Sequence, residues 1–486
     1  MRWVLDRTPR DQPNQNPVDR PQGQRSERNS RAWLGLSIVG TRSFDAATPE
    51  DRSRERYRRA ALTIATSAVA RGIAIVTALI SIPLTVHYLG TDRYGFWVTL
   101  TSFTALLVFA DLGIGNGLLN MISEANGRDE TRDAQKYVSS GFYMLLTVGA
   151  VVLLAFAATY SIVPWARVFN LSSSEAIKEA GPAVAVFVVC FSLSLPLGIV
   201  QRVQSGFQQG YLTNAWQAVG SVLSLGGLLI VVLYRGGLPW LVLAVVGASV
   251  FATLLNWVSE FGIGRRWLLP SYRQVEFRAV TKLAKVGFLF FILQATGAIA
   301  FASDNLVASQ VLGPAAAARY SVAQRAFLLA PLVVGFIVAP LWPAYGEALA
   351  RGDKLWVRKA FIRSMGLALS ICVPLSACLV IFAGPIFTAW VGAALVPSVW
   401  VTLGLGLWTI LYTLGSAVAM LLNAANVIGF QVIIAISLAC TSIVLKILLA
   451  EHFGIAGIPW ALVTTYTLAV AIPTSIYLVR RFRTDW

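Results

Sequence analysis

Arg71 stands near the middle of an apolar stretch long enough to cross a bilayer, 11 residues after Ala60 and 15 before Val86. A charge at that depth is expensive and marks a candidate functional position by default. Thr63 and Ser67 precede it by eight and four residues, which puts all three on one helix face. A polar stripe around a central Arg points to a water-filled lumen, and an always-charged guanidinium with a fork of donors suits an anion. Arg325 sits at comparable depth, 11 residues after Pro314 and 14 before Ala339, with Ser321 one turn earlier. Gln294 is the counterpart of Arg71 in the internal repeat described below. Arg202 and Lys446 lie within four or five residues of span ends, where long side chains are expected to snorkel to the interface. Asp111 and Asp304 are the carboxylates clearly within spans. A buried acid without a facing cation is a candidate proton or sodium coupling group. Both also fit a plainer role, fixing helix ends or pairing with Arg, and that is the stronger expectation for Asp111.

The elements that position these residues are read from composition. Of 486 residues, 56% are apolar and 13% charged, which is the balance of a polytopic membrane protein. Twelve spans follow: 60–86, 94–119, 138–160, 181–207, 215–234, 238–257, 286–312, 314–339, 360–382, 399–422, 430–450 and 454–479. They lack the period-two alternation of a barrel, so each is expected to be a helix that satisfies its own backbone in lipid. With the N-terminus inside, 29 of the 39 Lys and Arg fall on the cytoplasmic side and 5 on the other. The positive-inside rule therefore places both termini in the cytoplasm. The formal charge of +16 is an orientation signal, not a sign of nucleic-acid binding. Residues 1–59 are rich in Arg, Gln, Pro and Asn and read as a disordered basic tail without a signal peptide. The five Arg in Arg52–Arg59 read as an orientation signal rather than a lipid anchor. Cys190, Cys372, Cys378 and Cys440 lie singly in apolar spans as small core residues, and neither a metal nor another cofactor is expected.

Two halves of the chain repeat each other. Leu89-Gly90, Glu124-Ala125 and Lys136 recur at one constant offset as Leu312-Gly313, Glu347-Ala348 and Lys359, and the same offset carries Arg71 to Gln294. Gly237-Leu238-Pro239-Trp240 recurs at a slightly shorter offset as Gly457-Ile458-Pro459-Trp460. Six crossings separate the copies, so the repeats are parallel, related by an axis along the membrane normal. The expected organisation is a tail at 1–59, a six-helix lobe at 60–257, a cytoplasmic linker at 258–285 and a second six-helix lobe at 286–486, with a central cavity between lobes.

The segment Leu89-Gly90-Thr91-Asp92-Arg93-Tyr94-Gly95-Phe96-Trp97, followed by Asp111-Leu112-Gly113-Ile114-Gly115, resembles the N-terminal hallmark of bacterial polysaccharide flippases. These are the O-antigen and exopolysaccharide transporters of the multidrug/oligosaccharidyl-lipid/polysaccharide exporter superfamily. Asp304, Leu312-Gly313, Tyr320 and Leu341-Trp342-Pro343-Ala344-Tyr345 leading to Glu347-Ala348 resemble its second-half pattern. The resemblance covers roughly Ala60 to the C-terminus. It implies an inner-membrane flippase, not an enzyme, that moves a polyprenyl-diphosphate-linked oligosaccharide by alternating access. Lipid-linked substrate, membrane lipids, polysaccharide polymerase and chain-length machinery are the implied partners. A multidrug exporter on the same scaffold is the alternative, although two midplane Arg suit a cationic drug poorly. A membrane polymerase is a further alternative, but the longest outer loop, 161–180, offers only Glu175 and Glu179 as acids.

Overall fold

The computed structural model describes residues 48–484, apart from 104–106, 170, 172 and 394–395, and contains helices and turns but no strand among them. The greater part of the expected tail, residues 1–47, lies outside the described residues.

The first lobe starts with α1 (Pro49–Ser102), which bends at Gly90, and continues through α2 (Leu107–Ala110), α3 (Ile114–Gly127) and α4 (Thr131–Thr159). A short α5 (Trp165–Val168) leads to α6 (Ser174–Leu197), α7 (Ile199–Gly206), α8 (Gly210–Leu233), α9 (Leu238–Val242) and α10 (Ala248–Trp257). The second lobe runs α11 (Phe277–Leu312), α12 (Pro314–Phe327), α13 (Leu329–Val338), α14 (Leu341–Ala350) and α15 (Lys354–Ile381). It closes with α16 (Ala383–Val391), α17 (Val399–Ala424), α18 (Ile428–Phe453), α19 (Gly457–Tyr466) and α20 (Ile472–Thr484). Among the described residues, ten helical runs are long and apolar enough to cross a membrane. One of them, Ile428–Phe482, holds two crossings folded at Gly454, where φ is 63°. The second expected crossing, 94–119, includes residues 104–106 that lie outside the described ones, and its described part comprises the end of α1, α2 and the start of α3 about the turn at Asp111–Gly113. The chain is thus a multi-pass protein of twelve crossings in two lobes. Bulky apolar side chains such as Val69, Ile75, Leu79, Leu154 and Ile433 face outward, as lipid-facing surface requires.

The first helix begins at Pro49, well before the expected end of the tail. Thr48 caps it, accepting from the Asp51 backbone N–H at 3.1 Å. Arg56 and Arg58 are buried rather than solvated, because Glu55, Glu347 and Asp353 neutralise them. That corrects the reading of Arg52–Arg59 as merely an orientation signal. The linker is also shorter than expected: helical backbone continues to Gly264 and resumes at Phe277. The piece between is tied beneath α4, with Lys136 2.8 Å from Glu276 and Ser139 accepting from the Ser271 N–H at 3.2 Å. Of the four cysteines, Cys190 and Cys372 are buried, while Cys378 and Cys440 are exposed on the bundle surface instead of lying in the core.

The repeat is visible in the geometry. Gly90 (φ 72°, ψ 174°) and Gly313 (φ 92°, ψ 164°) turn the chain in the same way after the first crossing of each lobe, in a region open essentially to glycine alone. Helices α3 and α14 cross where the lobes join, and residues there meet their own counterparts. A Cβ on Gly127 would lie 2.5 Å from the Ala350 Cβ, and one on Gly346 would lie 3.0 Å from the Ser123 Cβ. Both pairs are related by the same offset that carries Leu89-Gly90 to Leu312-Gly313. The lobes join at the end of the bundle that carries Tyr57 and Phe482, near the first and last described residues. This is called the basic end below.

Gly127→Ala is expected to force α3 and α14 apart, because its Cβ would also lie 2.7 Å from the Glu347 carbonyl oxygen. Overpacking of this kind costs about 1–3 kcal/mol. Thermal unfolding of the detergent-purified protein checks it: the midpoint should fall, and Ala350→Gly in the same chain should recover only part of the loss.

Candidate functional site

A cavity of about 550 Å³ lies between the lobes. Helix α1 lines it with Arg59, Thr63, Ser67 and Arg71, residues four apart along one face. Arg202 and Ser205 come from α7, and Thr213 and Asn214 from α8. The second lobe supplies Pro331, Gly335, Phe336, Pro340, Trp342 and Pro343. These come from the crossing that Pro331 and Pro340 break into α12, α13 and α14, since Pro removes a ladder hydrogen bond and the chain bends where it sits. Three Arg and no carboxylate line the cavity among the described residues.

The three Arg differ in how far they are committed. Arg59 pairs with Glu55 at 2.7 Å and donates to the Phe207 carbonyl at 3.1 Å. Arg202 donates to Asn116 Oδ1 at 2.9 Å and lies 3.5 Å from Asp111 Oδ2. Arg71 has its guanidinium carbon 3.9 Å from the centroid of the Phe336 ring, across the lobe boundary. No ion pair holds it among the described residues. A cation–π contact orients a guanidinium without neutralising it, so Arg71 retains its charge for a visitor. Asn214 fixes the stripe's neighbourhood by donating to the Thr63 carbonyl at 3.0 Å and to Thr66 Oγ1 at 3.2 Å.

The sequence candidates separate here. Arg71 and Ser67 share the cavity wall. Gln294 is not in that wall; it is partly buried in α11, and its Nε2 lacks a hydrogen-bond partner among the described residues. Arg325 is exposed on α12, also away from the cavity lining. The Asp111 carboxylate accepts from the Gly113 N–H at 2.8 Å and so fixes the turn before α3. Asp304 is fully buried in the second lobe, 2.6 Å from Lys446, which is itself fully buried. Lys446 therefore does not snorkel; a carboxylate on the neighbouring helix holds it inside. Two cavity Arg escaped sequence reasoning. Arg59 continues the Thr63-Ser67-Arg71 spacing one turn earlier, a signal hidden by assigning it to the tail. Arg202 lies near a span end, where a snorkelling side chain is expected, but α7, set off from α6 by the bend at Gly198, brings it to the cavity, and nothing in a hydropathy pattern marks that bend.

At the basic end the lobes are tied together by charge. Glu347, nearly buried on α14, receives Arg56 Nε at 2.5 Å, Gln208 Nε2 at 3.4 Å and the Arg351 guanidinium. Arg56 reaches on to Asp353 at 2.8 Å. Arg351 crosses to Asp129 of the first lobe with two bonds of 2.9 Å, and its guanidinium holds the Asp129 carboxyl below the usual carboxylate range. Since the lowered value belongs to the folded state, this pair contributes above the ordinary carboxylate pKa. Its contribution is lost as the pH falls through that depressed value. Trp342 donates to Asn120 Oδ1 at 2.6 Å, and Asn120 donates to the Asn423 carbonyl at 2.7 Å. The inter-lobe hydrogen bonds named here all lie at this end.

Two six-helix lobes around a basic cavity, joined at one end, define a two-lobed all-helical membrane-protein fold. A multidrug-resistance MATE family transporter of the MOP superfamily, solved in an outward-facing conformation, matches with a TM-score of 0.72 at 14% identity. The match covers 88% of this chain and 96% of that one. A MATE protein in its bent conformation matches with a TM-score of 0.76 at 14% identity, over 89% and 96%. Residues 62–348 match the polysaccharide biosynthesis protein family, and the chain belongs to it. An O-antigen transporter candidate of Salmonella typhimurium is 24% identical over 277 residues, 55% of this chain and 61% of that protein. EpsK, an uncharacterised membrane protein of Bacillus subtilis, is 22% identical over 412 residues, 82% of this chain and 79% of its own. The chain matches about three fifths of the length of the Salmonella typhimurium relative.

Glu347→Ala and Glu347→Gln both remove the nearest counter-charge of buried Arg56 and should lower the melting midpoint, Ala more than Gln because Gln keeps an acceptor oxygen for the guanidinium. Breaking a buried pair on one side costs about 3–5 kcal/mol. Replacing both partners, as Arg56→Met with Glu347→Leu, should recover much of the loss in the same thermal measurement.

Proposed function

We propose that this protein is a flippase that carries a polyprenyl-diphosphate-linked oligosaccharide from the cytoplasmic to the outer leaflet of the bacterial inner membrane. The observation that carries this reading is the inter-lobe cavity with three Arg and no lining carboxylate among the described residues. A diphosphate concentrates negative charge in a small volume. A guanidinium answers it with parallel donors, and the low-dielectric walls strengthen the attraction. A cavity of 550 Å³ takes the diphosphate and the sugars nearest it, so the rest of the glycan would lie outside.

The roles then follow from geometry. Arg71 is the charge-bearing contact, with Ser67 and Thr63 as neutral donors and acceptors beside it. Arg202 and Arg59 add field without surrendering their existing partners. Trapped substrate would be released on one side because the lobes are joined at the other. With the basic end cytoplasmic, as its Lys and Arg content argues, the conformation described is closed to the cytoplasm. Moving substrate requires the Glu347 and Arg351 contacts to part and the opposite ends of the lobes to approach. The product would pass to a polymerase and its chain-length partner. The description of the Salmonella typhimurium relative as an O-antigen transporter candidate is consistent with this substrate. A multidrug exporter taking cations is disfavoured by the same three Arg. Gln294 and Arg325 lie outside the cavity lining and carry no role in this reading.

Deleting the protein in its own host should make a lipid-linked oligosaccharide accumulate on the cytoplasmic leaflet; accumulation of unlinked sugar precursors alone refutes the reading. Arg71→Ala should abolish export at near-normal membrane levels, and Arg71→Lys should restore part by keeping the charge without the fork. Arg71→Glu should be at least as poor as Ala. Full export by a well-expressed Arg71→Ala sinks the assignment. For orientation, single cysteines at Ser173 and Gly392 should react with an impermeant thiol reagent in intact cells, whereas one at Arg273 should stay unlabelled.

A further inference from the structure

The second lobe holds a polar cluster that the cavity does not use. Asp304 on α11 and Lys446 on α18 are both fully buried, although each lies towards the end of its span. The Lys446 ammonium touches three oxygens from one helix face: Asp304 Oδ1 at 2.6 Å, the Ala300 carbonyl at 2.5 Å and Ser303 Oγ at 2.9 Å. The other carboxylate oxygen of Asp304 accepts from Tyr320 Oη at 3.1 Å and Gln324 Nε2 at 2.9 Å, both on α12.

A carboxylate, a carbonyl and a hydroxyl converging on one point form a donor set for a small monovalent cation. Here that point is filled by a cation covalently tied to α18. We propose that Lys446 is a built-in counter-ion that occupies the cation position beside Asp304. This lobe therefore needs no bound sodium or potassium, and Asp304 is not the residue that admits a coupling ion.

The argument is one of charge balance. A buried carboxylate must be neutralised, by a proton, by a mobile cation or by a fixed one. The fixed cation satisfies it in every conformation in which α11 and α18 stay packed. A mobile ion would have to enter and leave through apolar helices. Removing the Lys side chain leaves the acid, the carbonyl and the hydroxyl around a space the ammonium filled, which a mobile cation can take. The inference concerns this cluster alone, so its failure leaves the anion cavity untouched.

Thermal unfolding of the purified full chain in sodium chloride, potassium chloride and N-methylglucamine chloride at matched ionic strength tests it between pH 6 and 9. The wild-type midpoint should be the same in all three salts. Lys446→Ala should melt lower than wild type in N-methylglucamine and gain several degrees, saturably, with sodium or potassium. Adding Asp304→Asn to that variant should erase the gain. A saturable sodium effect on the wild type that Asp304→Asn abolishes overturns the proposal, as does a Lys446→Ala variant indifferent to cations throughout that pH range. If the single variant cannot be purified, the neutral pair Lys446→Met with Asp304→Leu should still be recovered in near wild-type yield; its failure to accumulate also overturns the proposal.

Discussion

The structure depends on the crossing of α3 and α14, two copies of one helix brought within van der Waals contact where the lobes join. Small residues permit the approach, and Glu347 fixes it by gathering Arg56, Gln208 and Arg351 from both lobes. The cavity exists because this joint lies at one end: the lobes diverge beyond it, and the broken crossing α12–α14 leaves room where a straight helix would fill the gap.

Charge inside a membrane protein is tolerated only where it is matched, and the degree of matching grades the function of each residue. Lys446 and Asp304 are closed on each other. Arg56 and Glu347 are closed across the lobes and open only if the lobes move. Arg59 and Arg202 are half committed, each with a partner and a face on the cavity. Arg71 rests on an aromatic ring that leaves its charge intact. The same physical rule, the cost of an uncompensated charge in low dielectric, thus yields structural, gating and binding roles in one chain.

Much of this was legible in the sequence. Twelve crossings, helical lobes and a repeat at constant offset follow from hydropathy and matched turns, because lipid allows few solutions and duplication copies them all. The Thr63-Ser67-Arg71 face follows from helical period. What the sequence hid is long-range pairing. Arg56 reads as one Arg among several until Glu347, far along the chain, comes within 2.5 Å. Lys446 reads as a snorkelling residue until Asp304 is found beside it. Arg325 reads as the twin of Arg71 in depth, but the breaks at Leu328 and Pro340 rotate its helix relative to the segments that line the cavity.

The contacts between counterparts at the crossing carry an asymmetry. In one pair the residues are Gly127 and Ala350, in the other Ser123 and Gly346; each pair has one glycine and one small side chain. There is no room for two Cβ atoms at the first and barely room at the second. Were the two halves separate, identical chains meeting about a two-fold axis, each such position would face itself, and glycine would be required on both sides. A single chain frees one partner of each pair, and the freed positions carry Ala350 and Ser123. Fusion of the halves thus relaxes a constraint that a homodimer could never escape, and the joint can diverge one side at a time.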